Sequence, residues 1–466
     1  MTTTQAPAVP IGKAAVGALG LLALATGALE SVVTPTLPLL QRELDMTPAE
    51  GALLSIALAV TGALTTPIAG KFGDRYGGKR ILIRLMLVVS VGGLVSALAP
   101  NLPVLLLGQV LQGAMVGALP LSFIVVRTHL PAGQSKVAIG TVSGLFVGGA
   151  MAGTLSAGPV AETLSRHWMF GLPTLAVFGS TLLVNRMMPQ DDPRSRSGDG
   201  GIDWPGLLLL SGMLSILMIM LVKATDLDTR PFVLAALLAG LAGCTIGWVA
   251  VERRVPAPMI DLRMLARPAI WRACVLTFLI CVGTSVAVFL VPQLLALPSE
   301  AYGFGATATA IGFFLLPGSL TAAAAGPLGG IGTRRFGPRA VVATGGVLMS
   351  VSLFAMAAVH SEVWHVVVGK ALIALANGLC VTALMTSTAT SVDQRDTGIA
   401  SSLVLVSRVV GYAVGAQIGG VLLTSGTPAG SGIPAESSFV TGFVIAAAVT
   451  ALALLVTRTM SKGATE

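Results

Sequence analysis

The chain alternates between long apolar segments and short polar ones, and this alternation predicts a helical membrane protein. A helix needs about 20 mostly apolar residues to cross a bilayer, and the sequence contains fourteen such segments. Their approximate bounds are 14–38, 49–70, 81–99, 103–126, 137–160, 168–187, 205–223, 231–251, 271–297, 306–329, 340–359, 364–387, 397–423 and 438–457. Only 10% of the residues are charged, against about 25% in soluble domains. We therefore expect an all-α integral membrane protein with fourteen transmembrane helices.

Basic residues indicate which connections face the cytoplasm, because Lys and Arg accumulate in short cytoplasmic loops. With the N-terminus inside, 22 of the 28 Lys and Arg residues lie on the inner side, four lie outside and two lie within helices. We therefore expect both termini in the cytoplasm and the protein in the cell (inner) membrane. The net charge of +8 follows this topology and forms no nucleic-acid-binding patch. Few Lys beside many Ala, Gly and Arg residues favour a bacterial source.

Composition and motifs argue against several other classes of protein. The four cysteines lie inside apolar segments without a Cys-x-x-Cys pair, which argues against a disulfide framework or a metal site. No Walker, His-Glu-x-x-His or Gly-x-Ser-x-Gly motif occurs, and no loop is long enough for a nucleotide-binding domain. We expect no enzymatic activity, cofactor, metal or ATP. The N-terminal segment lacks a signal-peptide cleavage site, so we expect no processing there.

An internal repeat emerges when the first half of the chain is shifted by about 260 residues. The shift superimposes three pairs of segments: Gly70–Arg80 on 330–339, Gly108-Gln109 on Gly369-Lys370, and Gly149-x-x-x-Gly153 on Gly411-x-x-x-Gly415. We therefore expect an N-terminal six-helix bundle at 1–188, cytoplasmic connectors with two inserted helices at 189–268, and a C-terminal six-helix bundle at 269–466. Parallel repeats of this kind predict a substrate site near the bilayer midplane between the halves.

The polar segment Gly70–Arg80 separates two apolar segments and is expected to be a cytoplasmic loop. Together with its second copy it predicts a conformational-switch loop, formed by Gly70, Asp74, Arg75, Gly77, Lys79, Arg80, Arg335 and Gly337. Asp74 is expected to be structural, either capping a helix N-terminus or pairing with loop arginines.

Three ionisable residues lie inside predicted spans, where such groups are rare and often functional. Glu30 is the one acidic residue well inside a span. It is either a proton carrier or an acid solvated from the outer face. Lys370 either reaches the outer interface, opposes Glu30 or contacts an anionic substrate. Arg408 is expected to face the bundle interior, and we assign all three residues to proton coupling.

Small and amide side chains within the spans have two interpretations. Gln109 and Gln112 lie about one turn apart on the fourth helix, and they either line a polar cavity or link neighbouring helices. Gly149, Gly153, Gly411 and Gly415 recur at four-residue spacing, which favours close helix packing.

These features resemble the fourteen-helix drug:proton antiporter branch (EmrB/QacA type) of the major facilitator superfamily. The likeness covers nearly the whole chain. It is carried by the Gly-x-x-x-Asp-Arg-x-Gly-x-Lys pattern from Gly70, the pattern from Glu30 to Pro38, Asp203-Trp204, Glu252 to Asp261, Gln293, Leu316-Pro317-Gly318 and Ser407-Arg408. The resemblance implies alternating access, proton entry driving export, and a cavity lined by helices 1, 4, 9 and 12. Gln109, Gln112, Gln293 and Asn377 are then candidate cavity residues.

The chain departs from the family pattern at three places. The family has Arg where this chain has Gln109, its helix 5 pattern has a Pro and two glycines after the position of Gly153 that are absent here, and its helix 1 acid is usually Asp. Proton coupling is therefore open: Lys370 supplies the missing positive charge, or the protein is weakly coupled or uncoupled.

The sequence thus favours a monomeric, proton-linked exporter of small amphipathic compounds. One rival is an uncoupled or symporting carrier of one dedicated metabolite, for instance an anion drawn to Lys370. Another is a membrane sensor with a transporter fold that transports nothing.

Overall fold

A computed structural model describes residues 12–130, 132–189, 204–223, 231–255, 262–392, 397–428 and 432–459. Within these ranges every regular element is a helix. The expected all-α class is therefore confirmed. The helices form two compact units, Met1–Val32 with Leu64–Ile202, and Val33–Ala63 with Asp203–Glu466.

The first unit contains the end of one long helix, six further α-helices and a 3₁₀ turn. They are α1 (Lys13–Ser31), the end of α3 (Pro48–Tyr76), α4 (Gly78–Ala97), α5 (Leu102–Gly113) with a 3₁₀ turn (Ala114–Gly117) and α6 (Ala118–His129), α7 (Ala132–Thr163) and α8 (Arg166–Met187). Helix α1 packs on α7 and α8, and α4 packs on α5 and α8.

The second unit contains the rest of the chain. Its helices are α2 (Val33–Glu43), the start of α3, α9 (Trp204–Lys223), α10 (Pro231–Glu252), α11 (Leu262–Leu265), α12 (Pro268–Ala296), α13 (Ala308–Phe336), α14 (Pro338–Ala358), α15 (Val363–Thr390), α16 (Thr397–Ser425) and α17 (Glu436–Thr457). Helix α12 packs on α15, α16 and α17, while α13 packs on α15. The predicted bundle boundaries at 188 and 268 fall next to α8 and α12, but α2 and the start of α3 pack with the second unit.

Thirteen helical segments of the described chain are long and apolar enough to cross a membrane. They correspond to thirteen of the fourteen predicted spans. The remaining predicted span, 205–223, coincides with α9, whose described apolar stretch is the shorter Leu208–Leu217. The protein is therefore a multi-pass membrane protein.

Two predicted spans are interrupted rather than continuous. The first is divided between α1 and α2 at Val32, because Pro35 has no N–H to donate to the carbonyl of Ser31. The fourth contains the 3₁₀ turn before Pro120, where the missing proline donor likewise disturbs regular α-helical bonding.

The expected loop at Gly70–Arg80 is not a loop, and this expectation was wrong. Helix α3 continues to Tyr76 and α4 begins at Gly78, so Gly77 alone separates them. Gly77 has φ 100°, and the equivalent Gly337 between α13 and α14 has φ 81°. Hydropathy marks where apolar side chains end, whereas the helical backbone continues through polar residues until a glycine reverses its direction.

Candidate functional site

A polar cluster lies near the middle of the membrane helices in the second unit. Thr284 Oγ1 donates a hydrogen bond to Asn377 Oδ1 at 3.2 Å, and Asn377 Nδ2 donates to the Tyr412 hydroxyl oxygen at 3.4 Å. Thr284 also contacts the sulfur of Met349 at 3.7 Å. The cluster therefore joins α12, α14, α15 and α16 by their side chains.

Each member of the cluster lies close to the midpoint of its helix. Thr284 belongs to the 29-residue α12, Asn377 to the 28-residue α15 and Tyr412 to the 29-residue α16. At about 1.5 Å per residue, all three lie far from both helix ends. The cluster is thus at the depth expected for a substrate site in a transporter made of repeats.

Arg408 adds a positive charge to this cluster. Its guanidinium carbon lies 5.9 Å from the ring centroid of Tyr412, one turn farther along α16. The side chain is exposed, and the described residues include no recorded hydrogen-bond acceptor or carboxylate partner for it. The cation is therefore held against an aromatic ring while its N–H groups remain available.

Lys370 lies two turns before Asn377 on the same face of α15. It is partly buried, and its Cγ and carbonyl oxygen lie 3.7 and 3.8 Å from the position that a β-carbon on Gly318 of α13 would occupy. No ion pair to Lys370 is recorded among the described residues. The three interpretations of Lys370 therefore remain predictions.

Glu30 lies in the first unit at the last turn of α1, just before the interruption at Val32, and is partly buried. Its neighbour Ser31 donates a hydrogen bond to the carbonyl oxygen of Ala150 in α7 at 2.7 Å. In the second unit Ser285 of α12 donates the equivalent bond to the carbonyl oxygen of Tyr412 at 2.6 Å. Glu30 therefore corresponds to Thr284 of the polar cluster.

The predicted packing glycines lie at the contacts between these same helix pairs. A β-carbon on Gly149 would lie 1.9 Å from the carbonyl oxygen of Leu24, and one on Gly153 would lie 2.3 Å from that of Ala28. In the second unit, a β-carbon on Gly411 would lie 2.6 Å from the carbonyl oxygen of Phe278, and one on Gly415 would lie 2.4 Å from that of Val282. Helices α1 and α7 thus meet as α12 and α16 do.

Gln109 and Gln112 point toward α4 rather than toward open space. Gln112 Nε2 donates to Ser96 Oγ at 2.6 Å, and Gln109 Nε2 donates to the same oxygen at 3.4 Å. The exposed fraction is 1% for Gln109 and 0% for Gln112. These contacts favour the helix-linking interpretation over the cavity interpretation.

Gln293 lies near the C-terminal end of α12, away from the polar cluster. Its Nε2 donates a hydrogen bond to Gln41 Oε1 of α2. One turn farther along α12, the carbonyl oxygen of Ala296 accepts a hydrogen bond at 2.8 Å from Arg42, the residue after Gln41. The α2 segment is thus attached to the end of α12 inside the second unit.

The residues of the predicted switch loop lie around the two glycine breaks. Lys79 is buried, and its Nζ donates to the carbonyl oxygen of Met188 at the end of α8, at 2.6 Å. Arg80 is exposed, and Arg335 lies 5.4 Å from the ring centroid of Phe336. The backbones of Gly70, Asp74 and Arg75 are helical. The side chains of Asp74 and Arg75 and the surroundings of Gly70 lie outside the described part of the structure.

Sequence reasoning did not identify Thr284, Ser285 and Tyr412. They are uncharged, lie inside apolar segments and match no motif. The matching hydrogen bonds of Ser31 and Ser285 place Glu30 on Thr284. That equivalence corresponds to a shift of 254 residues (285 − 31), which differs from the shift of about 260 residues found in the sequence.

The described residues contain no group of three or more His, Cys, Asp or Glu side chains that could hold a metal ion. All four cysteines are free thiols, three of them buried.

Comparisons with known proteins agree with this architecture. A family model described as Major Facilitator Superfamily matches residues 19–297 and 273–464. The tetracenomycin C resistance and export protein of Streptomyces glaucescens is 26% identical over 424 residues, covering 87% of this chain and 76% of the relative. A putative multidrug resistance protein MdtD of Salmonella dublin is 27% identical over 404 residues, covering 84% of this chain and 82% of the relative.

Solved transporter structures share the fold. The nucleoside transporter NupG aligns with a TM-score of 0.68 at 11% identity, and the alignment covers 96% of this chain and 100% of NupG. The human organic anion transporter MFSD10 aligns with a TM-score of 0.63 at 14% identity, and the alignment covers 96% of this chain and 99% of MFSD10. Because the family model spans most of the sequence, this chain belongs to the Major Facilitator Superfamily.

Proposed function

We propose that this protein exports small amphipathic compounds across the bacterial inner membrane, in exchange for protons and by alternating access. The observation that carries the proposal is Glu30, a partly buried carboxyl group in the last turn of α1, within the predicted span 14–38. An ionisable group at such a depth is a functional candidate by default. It sits at the break between α1 and α2, where a helix end provides polar backbone groups.

Two further observations support an exporter. The named relatives are a resistance and export protein and multidrug resistance proteins. The membrane helices are mostly apolar, with a few polar side chains at mid-depth, a combination suited to amphipathic ligands. The proposal includes a monomeric protein with both termini in the cytoplasm, as the distribution of Lys and Arg predicts.

Within this proposal Glu30 binds and releases the transported proton. The roles of Lys370 as its modulator and of Arg408 in coupling remain predictions. The switch-loop residues are proposed to hold helix ends together in one conformation, as the bond from Lys79 to the end of α8 illustrates.

Proton release from the detergent-purified protein tests the proposal. Lipophilic cations and anions are added in weakly buffered solution, and the pH change is recorded for the native chain and for Glu30→Gln. We expect ligand-induced proton release by the native chain and none by the variant. Glu50→Gln is the matched control, because Glu50 lies in the first turn of α3, where it accepts hydrogen bonds from the backbone N–H and the hydroxyl of Thr47, and this variant should release protons like the native chain.

Equal ligand binding without proton release in either protein would refute proton coupling. That outcome would favour the uncoupled or symporting carrier, for which Gln109 is the supporting observation: it stands where the family pattern has Arg, and its amide bonds Ser96. Binding followed by no transport in proteoliposomes would instead indicate a sensor.

A further inference from the structure

We propose that Arg408 binds the anionic group of an amphipathic organic anion, such as an aromatic carboxylate, at the polar cluster of the second unit. This inference rests on the proposed function, because it names a substrate class for the same transporter. It follows from the contact between Arg408 and the Tyr412 ring, from the hydrogen bonds that hold Tyr412 and from the charges within α12–α17.

The guanidinium of Arg408 lies beside an aromatic ring of its own helix. Its central carbon is 5.9 Å from the Tyr412 ring centroid, and Tyr412 lies one turn farther along α16. A cation–π contact of this kind stabilises the charge and holds it at the depth of the cluster.

The Tyr412 ring is itself held in place. Its hydroxyl oxygen accepts a hydrogen bond from Asn377, whose amide oxygen accepts one from Thr284, a buried residue. The backbone of Tyr412 accepts a hydrogen bond from Ser285. Arg408 is therefore positioned by a chain of contacts that consumes none of its own N–H groups.

Guanidinium is suited to a carboxylate because its five N–H donors form a planar fork that can bind two oxygens at once. No acceptor for Arg408 is recorded among the described residues, and the side chain is exposed. A ligand carboxylate would supply the missing partner. The face of Tyr412 and the surrounding apolar side chains would contact the hydrophobic part of the ligand.

The surrounding charges favour an anion over a cation. Between Pro268 and Thr457, every Asp and Glu lies in a connection or at Glu436, the first residue of α17. Lys370 and Arg408 are the charged residues within the interior of α12–α17. In a region of low dielectric constant, two cations without internal acids attract an anion strongly.

Equilibrium dialysis with a matched pair of probes tests this inference. The anion is 1-naphthoate and the cation is trimethyl(1-naphthyl)ammonium, measured with the purified full-length protein in neutral detergent. Loss of a charge-assisted hydrogen bond predicts that Arg408→Gln weakens naphthoate binding roughly 10- to 100-fold. Arg408→Lys should retain part of the affinity, and binding of the cationic probe should not weaken in either variant.

Arg272→Gln is the matched control. Arg272 belongs to the same unit and also lies beside an aromatic ring, 5.6 Å from the centroid of Trp271, but it is near the start of α12. Its replacement should leave naphthoate binding unchanged. Equal affinity in the native chain and Arg408→Gln, or an equal loss in Arg272→Gln, would overturn the inference.

Phosphatidylglycerol added to the detergent separates a lipid headgroup from a soluble ligand, since both are anions. If phosphatidylglycerol displaces naphthoate from the native chain at a lower concentration than naphthoate itself binds, Arg408 is a lipid contact and the inference fails. Proton-coupled export of cations by Arg408→Gln, with unchanged naphthoate binding, would refute the inference and leave the proposed function intact. Absence of any transport by the native chain would refute the proposed function, while the binding comparison would still be decisive.

Discussion

Ser31 and Ser285 make the same interhelical hydrogen bond in the two units. Ser31 Oγ donates to the carbonyl oxygen of Ala150 at 2.7 Å, and Ser285 Oγ donates to that of Tyr412 at 2.6 Å. In each unit the accepting helix also brings two glycines against the donating helix. The equivalent positions just before the serines differ in chemistry, with Glu30 in one unit and Thr284 in the other. One architecture thus carries an ionisable group in the first unit and a hydrogen-bonding group in the second.

Replacing Gly149 by Ala should destabilise the contact between α1 and α7. The added β-carbon would lie 1.9 Å from the carbonyl oxygen of Leu24, and overpacking of this kind costs about 1–3 kcal/mol. The apparent melting temperature of the purified protein should fall by several degrees. Gly148→Ala is the control, because nothing lies within 4 Å of its β-carbon position; equal melting temperatures for both variants would contradict the close contact.

Gly337→Ala should also destabilise the protein, but for a conformational reason. Gly337 has φ 81° and no atom lies within 4 Å of its β-carbon position, so strain rather than collision is expected, at about 1–2 kcal/mol. Gly330→Ala, in the exposed helical part of α13 and with the same open surroundings, should be neutral or stabilising. A Gly337→Ala variant as stable as Gly330→Ala would show that the helix junction does not require this backbone conformation.

Gln112→Leu tests whether this amide links helices or binds ligands. The substitution removes the bond to Ser96 and also removes Gln112 Oε1, a buried oxygen without a partner among the described residues. Interhelical hydrogen bonds in membranes average about 0.6 kcal/mol, so the melting temperature should change little. Ligand affinity, measured by equilibrium dialysis, should be unchanged. A large loss of affinity at unchanged stability would restore the cavity interpretation.

Tyr302 in the predicted outer connection should titrate at unusually high pH. Burial, together with the nearby Glu436 carboxylate, raises the pKa of Tyr302 to about 12. The folded state therefore keeps the phenol proton that the unfolded chain loses near pH 10, and stability should fall as the pH rises from about 10 toward 12. Absorbance at 295 nm, taken as the difference between the native chain and Tyr302→Phe, follows this single tyrosine.

Glu436→Gln should shift the Tyr302 titration to lower pH, because it removes the negative charge that opposes the phenolate. Glu436 also accepts a hydrogen bond at 3.0 Å from His360 Nε2, so His360→Gln serves as the control for loss of that bond alone. Identical Tyr302 titrations in the native chain and Glu436→Gln would contradict the electrostatic contribution.

The positions of the membrane segments were predictable from the sequence, because each must be apolar over the thickness of the bilayer whatever it packs against. The helix ends were less predictable. Hydropathy placed a loop at Gly70–Arg80, where the backbone remains helical up to Tyr76 and resumes at Gly78.

Candidate site residues were predictable when they carry a charge. Glu30, Lys370 and Arg408 are conspicuous in apolar segments, since few ionisable groups are tolerated there. Which way a side chain points is a different question. Gln109 and Gln112 were compatible with a cavity until their bonds to Ser96 on the neighbouring helix were seen.

The sequence by itself determined the membrane class and the family and revealed the repeat, because these depend on local composition and on patterns along the chain. Tertiary structure decided which helices meet at Gly149 and Gly411, and it brought Thr284, Asn377 and Tyr412 together beside Arg408. The physical reason is that those contacts join residues far apart in the chain. Their geometry depends on how closely helix backbones approach, which no single segment specifies.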